Sequence, residues 1–263
     1  MIQLSSAKAI QPLAYPRRAS LALIYGVGCH VAFVLGVGAM IFSMYYGMSR
    51  TKGSVPPPWQ WPANVALLVQ FFASHSFLLT RPGQAVLPKM APAGVGARLG
   101  TTTYALIASL QLMLLFTLWT PSGVVWWQAQ GSVLWLTTSL YAVAWLLLLK
   151  SIVDAGIELQ TGMLGWRAVY RGVAPIFPDM PTTGLFRWMR QPIYLSFALT
   201  LWTVPTWTPD QLLVSLVLTA YCLAGPLFKE RRFLRRYDAR FAAYQAATPY
   251  WLPRMWKRSR GGR

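Results

Sequence analysis

Charge is scarce in this chain, and negative charge is scarcest. Only 11% of its 263 residues are charged, and six Asp or Glu stand against 24 Lys or Arg. Soluble domains carry about a quarter charged residues. With 55% hydrophobic residues and a mean hydropathy of +0.41, a soluble fold is excluded. Two cysteines, Cys29 and Cys222, are too few for a disulfide framework and read as buried small hydrophobes within apolar runs. Histidine is as rare, with His30 and His75 alone. No histidine stands near Asp154 and Glu158, so this pair, four apart on one expected helix face, reads as solvated or arginine-paired rather than metal-binding. Its arginines are expected from the C-terminal helix. The glycines of Gly94–Gly100 lack a preceding strand and the spacing of a dinucleotide loop, and read as a flexible connection. The first apolar run is too long for the core of a cleavable signal peptide.

What is abundant is apolar sequence in long runs. Six are legible: Leu21–Met48, Ala63–Thr80, Thr101–Thr120, Ser132–Leu149, Pro192–Val204 and Leu212–Phe228. Most approach the roughly 20 residues that a spanning helix needs. The fifth is short and bounded by proline, as in a hairpin that crosses only partly, so its backbone must be satisfied within helix or protein. The expected fold is therefore an all-α integral membrane protein of about six transmembrane helices, the fifth and sixth a hairpin, plus a C-terminal amphipathic helix. One membrane domain is expected over 1–263, with a cytoplasmic N-terminus (1–19), a transmembrane core (20–228), and a cytoplasmic amphipathic helix and basic tail (229–263). With the N-terminus inside, 22 of the 24 Lys and Arg fall on the inner side, leaving Arg50 and Lys52 outside. That asymmetry supports the orientation and explains the +18 net charge as belts facing anionic headgroups, without nucleic acid. Gly28, Ala32 and Gly36 form a small-residue stripe suited to intramolecular helix contact. Trp119, Trp126, Trp127 and the stiff Val55–Pro62 loop are expected at the outer interface.

The residues that invite chemistry lie in the last third. Pro192 suits the first turn of a helix, which places backbone donors and a positive dipole end beside Arg190 and Gln191, where an anion is attracted. Glu230 ends the sixth run at a similar depth, and an acid at such a boundary is costly unless paired. An anion site beside a cation-pairing carboxylate suits a zwitterionic ligand; a salt bridge closing the hairpin is the simpler alternative. Beyond it, Phe233, Tyr237, Phe241 and Tyr244 form an apolar seam at helical spacing among arginines, as in a helix lying along the membrane surface.

Arg190-Gln191-Pro192-Ile193-Tyr194, the proline-broken hairpin, Glu230-Arg231, and then Tyr237, Phe241, Tyr244 and Pro249 resemble the isoprenylcysteine carboxyl methyltransferase superfamily. Phe72-Ala73-Ser74-His75-Ser76, Arg81-Pro82, Thr103-Tyr104 and Trp119-Thr120-Pro121 are similar to its bacterial branch of methanethiol S-methyltransferases and NnrU-type proteins. The resemblance runs from Ala63 to Pro253. Two positions depart from it: Gln191 stands at the family's histidine and Lys229 at the first acid of its Glu-Glu pair. Glutamine keeps a hydrogen bond but cannot carry a proton.

The resemblance implies an enzyme of the bacterial inner membrane with cytoplasmic termini. It would transfer a methyl group from S-adenosylmethionine to a small or lipophilic thiol. It further implies that Arg190, Gln191, Pro192 and Tyr194 bind the cofactor, that Glu230 pairs with its amino or ribose groups, and that Tyr244 covers it. Arg231 would hold the substrate anion and His75 would act as the thiol's base. Alternatives are a prenylcysteine-carboxylate or lipid-amine acceptor, a non-catalytic membrane partner, or a haem protein ligated by His30 and His75.

Overall fold

In a computed structural model, residues 15–251 are described. Lys8, Pro253 and the last five basic residues of the expected tail lie outside them. All six apolar runs are helical. The long helices are α1 (Tyr15–Tyr45), α2 (Gln60–Leu78), α4 (Gly96–Leu118), α5 (Gly131–Asp154) and α9 (Pro209–Tyr237). Four of them, α1, α4, α5 and α9, are long and apolar enough to cross a membrane by themselves. A fifth crossing arises if α2 is counted with α3 (Arg81–Met90), against which it bends by 96°. The bend follows from the local sequence. Thr80 takes an extended conformation and its hydroxyl accepts from the Gly83 N–H, while Pro82 occupies the first turn of α3. Exposed side chains such as Val34, Trp135 and Leu146 give these helices apolar outer faces, as lipid requires.

The short fifth run is α8 (Pro192–Trp202), 11 residues and so about 17 Å long, well short of the roughly 30 Å hydrocarbon core. It turns back through β2 (Thr206–Trp207) into α9. That strand pairs antiparallel with β1 (Trp127–Gln128), opposing Trp127 to Trp207. Three short helices complete the order: α6 (Ile157–Gln160), α7 (Met163–Arg171) and α10 (Ala239–Ala247), with a 3-10 turn at Gly184–Arg187.

The chain forms two compact units. The first comprises 1–38, 64–115 and 158–177. Its core joins Ala22, Ala91, Val95, Leu99 and Val169, flanked by Leu21, Tyr25 and Trp166. Of the expected small-residue stripe, Gly36 meets a close neighbour, since a Cβ there would lie 2.5 Å from the Ser109 carbonyl, and Ala32 is buried, whereas Gly28 faces open space. The buried Cys29 thiol donates to the Thr102 carbonyl at 3.5 Å.

Among the described residues, the second unit comprises 39–63, 116–157 and 178–251. Here α8 packs between α5 and α9, with Ser151 and Ser196 hydroxyls 3.1 Å apart across the α5–α8 contact. At the start of α9, Thr208 caps the helix by accepting from the Gln211 N–H and donates to the Gly47 carbonyl. Gln211 and Ser215 both donate to the Leu201 carbonyl, at 3.0 Å each, satisfying an end of α8 that has no helical partner.

Four expectations are corrected. Trp119 is fully buried rather than interfacial, its indole N–H donating at 2.9 Å to Asp210, whereas Trp126 and Trp127 are exposed as expected. Asp154 and Glu158 do not share a helix face, because α5 stops at Asp154 and Gly156 takes a positive φ of 93°. Their partners are local: Asp154 pairs with Lys150 and accepts from the Leu185 N–H, and Glu158 pairs with Arg167. The acid paired with an arginine of the C-terminal helix is Asp179, 2.7 Å from Arg240. The Gly94–Gly100 loop is helical from Gly96 onward. Finally, the sixth run and the amphipathic stretch are one helix, α9 continuing through Lys229 to Tyr237 before Asp238 breaks it.

Candidate active site

The second unit gathers the motif residues at the base of the α8–α9 hairpin. Gln191 is the N-cap of α8 and Pro192 its first residue, as the sequence predicts. Glu230 lies on α9 and is 8% exposed. Its Oε1 accepts from Arg190 Nε at 2.9 Å and from Gln191 Nε2 at 2.6 Å. Its Oε2 accepts from Gln245 Nε2 at 2.7 Å and more distantly from Arg190 Nη2 at 3.5 Å. Four donor contacts from three residues on two chain segments thus converge on one carboxylate, close to the capacity of its lone pairs.

Arg190 is tied in three directions. Besides Glu230, its Nη1 donates to the carbonyls of Gln245 and Thr248, both at 2.8 Å, and its own N–H donates to the Pro249 carbonyl at 2.9 Å. The end of α10 is therefore held onto the start of α8 by one guanidinium, whose fork geometry permits several bonds at once. The Tyr250 ring lies 5.2 Å from that guanidinium.

Gln191 is 0% exposed. Because a carboxylate only accepts, the amide must turn its nitrogen to Glu230. That leaves Oε1, which is buried and has no hydrogen-bond partner among the described residues; the buried Tyr250 hydroxyl is in the same position. Buried polar atoms without partners are uncommon and ask for an explanation.

The aromatic seam is real but crosses a break. Asp238, at φ 44° and ψ −121°, turns the chain between α9 and α10. Phe233 then contacts Tyr237 and Phe241, each with ring centroids 5.5 Å apart, and Phe241 contacts Tyr244. The Tyr244 hydroxyl donates to the Phe186 carbonyl at 2.6 Å. Burial pushes that hydroxyl up to about 12, so it remains a donor at any ordinary pH. Tyr194 lies half-buried along α8, its ring against Gly225, where a Cβ would come within 3.0 Å.

One predicted residue of the second unit stands apart from this cluster. Arg231 is exposed on α9, with its guanidinium 5.8 Å from the Phe228 ring. His75 belongs to the first unit, where both ring nitrogens lie near the Tyr104 hydroxyl, Nε2 at 2.9 Å. His30 accepts from the Trp166 indole N–H at 3.0 Å, as a packed hydrogen-bonding histidine does.

Sequence reasoning missed Gln245 and Asp210. Gln245 follows the last aromatic of the seam, and nothing in its spacing marks it. Asp210 is 1% exposed and binds Trp119 Nε1 and the Ser122 N–H, both at 2.9 Å. A lone acid in an apolar stretch was the available signal. Among the described residues no group of three or more His, Cys, Asp or Glu is placed to hold a metal ion.

No family model matches the chain, and no solved structure does. Curated relatives do. Methanethiol S-methyltransferase 2 of Bradyrhizobium diazoefficiens is 31% identical over 159 residues, 60% of this chain and 61% of the relative. The methanethiol S-methyltransferase of a Pseudomonas species is 27% identical over 241 residues, covering 88% of this chain and 90% of the relative. Nurim of Sus scrofa is 29% identical over 180 residues, 64% of this chain and 65% of nurim. Helical architecture and the hairpin motif agree with these likenesses, and over most of its length the chain is similar to methanethiol S-methyltransferases.

Proposed function

We propose that this protein is a membrane methyltransferase that moves a methyl group from S-adenosylmethionine to the sulfur of a small, methanethiol-like thiol. The observation that carries the reading is its likeness, over 88% of the chain, to a relative named for that reaction. The residues at the α8 base fit the donor. Its carboxylate suits the N-terminal dipole of α8 and the neighbouring Arg190. Its ammonium and ribose hydroxyls are hydrogen-bond donors, which the partnerless Gln191 Oε1 would accept. Glu230 then acts by position: it fixes the Gln191 amide and the Arg190 guanidinium instead of touching the donor itself. Pro192 and Tyr194 line the same corner, and Tyr244 holds the Phe186 backbone that borders it.

S-adenosylmethionine supplies a sulfonium-activated methyl group. A thiolate attacking that centre cancels two charges, so a dry site favours the reaction relative to water once binding holds the partners together. Alignment of the two sulfurs with the methyl carbon supplies further acceleration. The reading places the protein in a bacterial inner membrane with both termini cytoplasmic, its basic belts against anionic headgroups.

Calorimetry of the purified protein with S-adenosylmethionine, followed by methyl-transfer assays on methanethiol, a prenylcysteine and an amine, tests this. Saturable heat and a thioether product are expected, and absence of heat at millimolar donor overturns the reading. Gln191→Leu should weaken donor binding about tenfold, the worth of one hydrogen bond to a charged group. If Gln191 serves only as that hydrogen-bond holder, Gln191→His leaves turnover unchanged.

A further inference from the structure

The cluster that organises the α8 base contains no base. Arg190 keeps its proton in proteins, Gln191 cannot take one, and Glu230 already receives four donor contacts. Thiol methylation nevertheless needs a thiolate, since the thiolate is the nucleophile and a free thiol near neutral pH is mostly protonated.

One residue beside the cluster can take a proton. Lys229 is half-buried on α9, and its Nζ lies 5.9 Å from the centre of the Phe186 ring, 5.5 Å from Tyr194 and 5.7 Å from Phe233. Those rings come from the 3-10 turn, α8 and α9, and they enclose the amine with π faces that attract a cation. None of the ion pairs among the described residues includes Lys229, and it makes no hydrogen bond with them. The charged groups facing it are Glu230 and Arg232 from α9 and Arg190 from the start of α8. Partial burial beside the Arg190 and Arg232 guanidiniums favours the neutral amine at rest, and Glu230, the acid facing it, is already taken up by Arg190, Gln191 and Gln245, so the ammonium forms no ion pair among the described residues. A desolvated site with an unpaired cation gains most from the arrival of an anion.

Resting on the methyl-transfer reading above, we infer that Lys229 is the catalytic base for the acceptor: its neutral amine takes the thiol proton and its ammonium then holds the thiolate. The balance is simple. The S–H bond breaks with its electron pair left on sulfur, and the proton forms the fourth bond to Nζ. The thiolate pair forms the new C–S bond to the methyl carbon as the C–S⁺ bond of the donor breaks, leaving two neutral thioethers. Lys229 returns its proton to water. The aromatic rings stabilise the ammonium during the interval, and the apolar surroundings strengthen its attraction for the thiolate.

The test compares an arenethiol, already ionised at neutral pH, with an alkanethiol, which is not. With Lys229→Met, alkanethiol methylation should fall by about 10²-fold or more while arenethiol methylation is largely kept, and raising the pH should restore the alkanethiol rate. Lys229→Arg, which keeps the cation over the rings but cannot cycle a proton, should share the defect. Donor calorimetry on each variant verifies an intact fold. Independently of methyl transfer, ultraviolet titration without donor should show thiolate absorbance when the wild type binds an alkanethiol, and none with Lys229→Met. Equal losses on both thiols, an active Lys229→Arg or an undiminished Lys229→Met overturns the inference, as does the absence of thiolate absorbance in the wild type. A wild type that methylates neither thiol defeats the functional reading instead, and the absorbance titration still decides the role of Lys229.

Discussion

Glu230 is nearly buried, and its worth lies in the groups that depend on it. Removing its charge would strand Arg190, whose side chain is 14% exposed, and release the Gln191 amide. Breaking a buried pair from one side costs about 3 kcal/mol. Glu230→Gln should therefore lower the thermal midpoint in detergent markedly, and Arg190→Met combined with it should restore part of the loss. The Tyr244 hydroxyl makes a single bond to the Phe186 carbonyl, so Tyr244→Phe should cost about 1 kcal/mol. The sign of its pH dependence follows from the direction of the shift. The folded value is raised to about 12 against an ordinary value near 10, so the bond's contribution is complete below about pH 10 and vanishes as pH climbs through the folded value. Melting curves of wild type and Tyr244→Phe should therefore differ by a constant amount from pH 6 to 9. At this scale the sequence was informative about Arg190, Gln191 and Glu230 because a cationic proline-led helix start and a boundary acid each carry a physical cost. It was silent about Gln245, whose amide matters only because the chain folds back after Asp238.

At the scale of elements, α8 and α9 do different work. α8 is too short to cross and serves to bring its N-terminus, with Gln191, to the depth of Glu230. α9 continues from the apolar run into the basic stretch without interruption, so Lys229, Glu230 and Phe233 are placed by one helix. The turn at Asp238 is the point of strain. Its φ of 44° with ψ of −121° is a region that glycine occupies freely and other residues avoid, and its side chain makes no capping bond to α10. Asp238→Gly should raise stability by about 1 kcal/mol, read as a higher melting temperature with unchanged donor affinity. A fall would mean that the aspartate has a partner or role beyond its backbone. The helices themselves were legible as apolar runs. Where they end was less so: α5 stops at Asp154, just before the positive-φ Gly156, and α4 begins at Gly96, because glycine can close or open a helix with equal economy of sequence.

For the whole molecule, the distribution of basic residues gives the proposed orientation, with Arg50 and Lys52 on the opposite side from the rest. A cysteine introduced at Arg50 in a Cys29→Ser, Cys222→Ser background should react with a membrane-impermeant maleimide in intact cells. One at Arg231 should react only after permeabilisation. The reverse pattern would overturn the orientation. Membrane class, the number of apolar segments and the region of interest were determined by the sequence alone, since lipid demands continuous apolar runs whatever the fold around them. Only the tertiary structure decided that Glu230 is consumed by the protein's own donors, that Trp119 is buried on Asp210, and that Lys229 is enclosed by three rings with no ion pair among the described residues. Hydropathy is a property of each segment and can be summed along the chain. The partner of a polar group is set by which segments meet, and residues 40 or more positions apart meet only once the helices have packed.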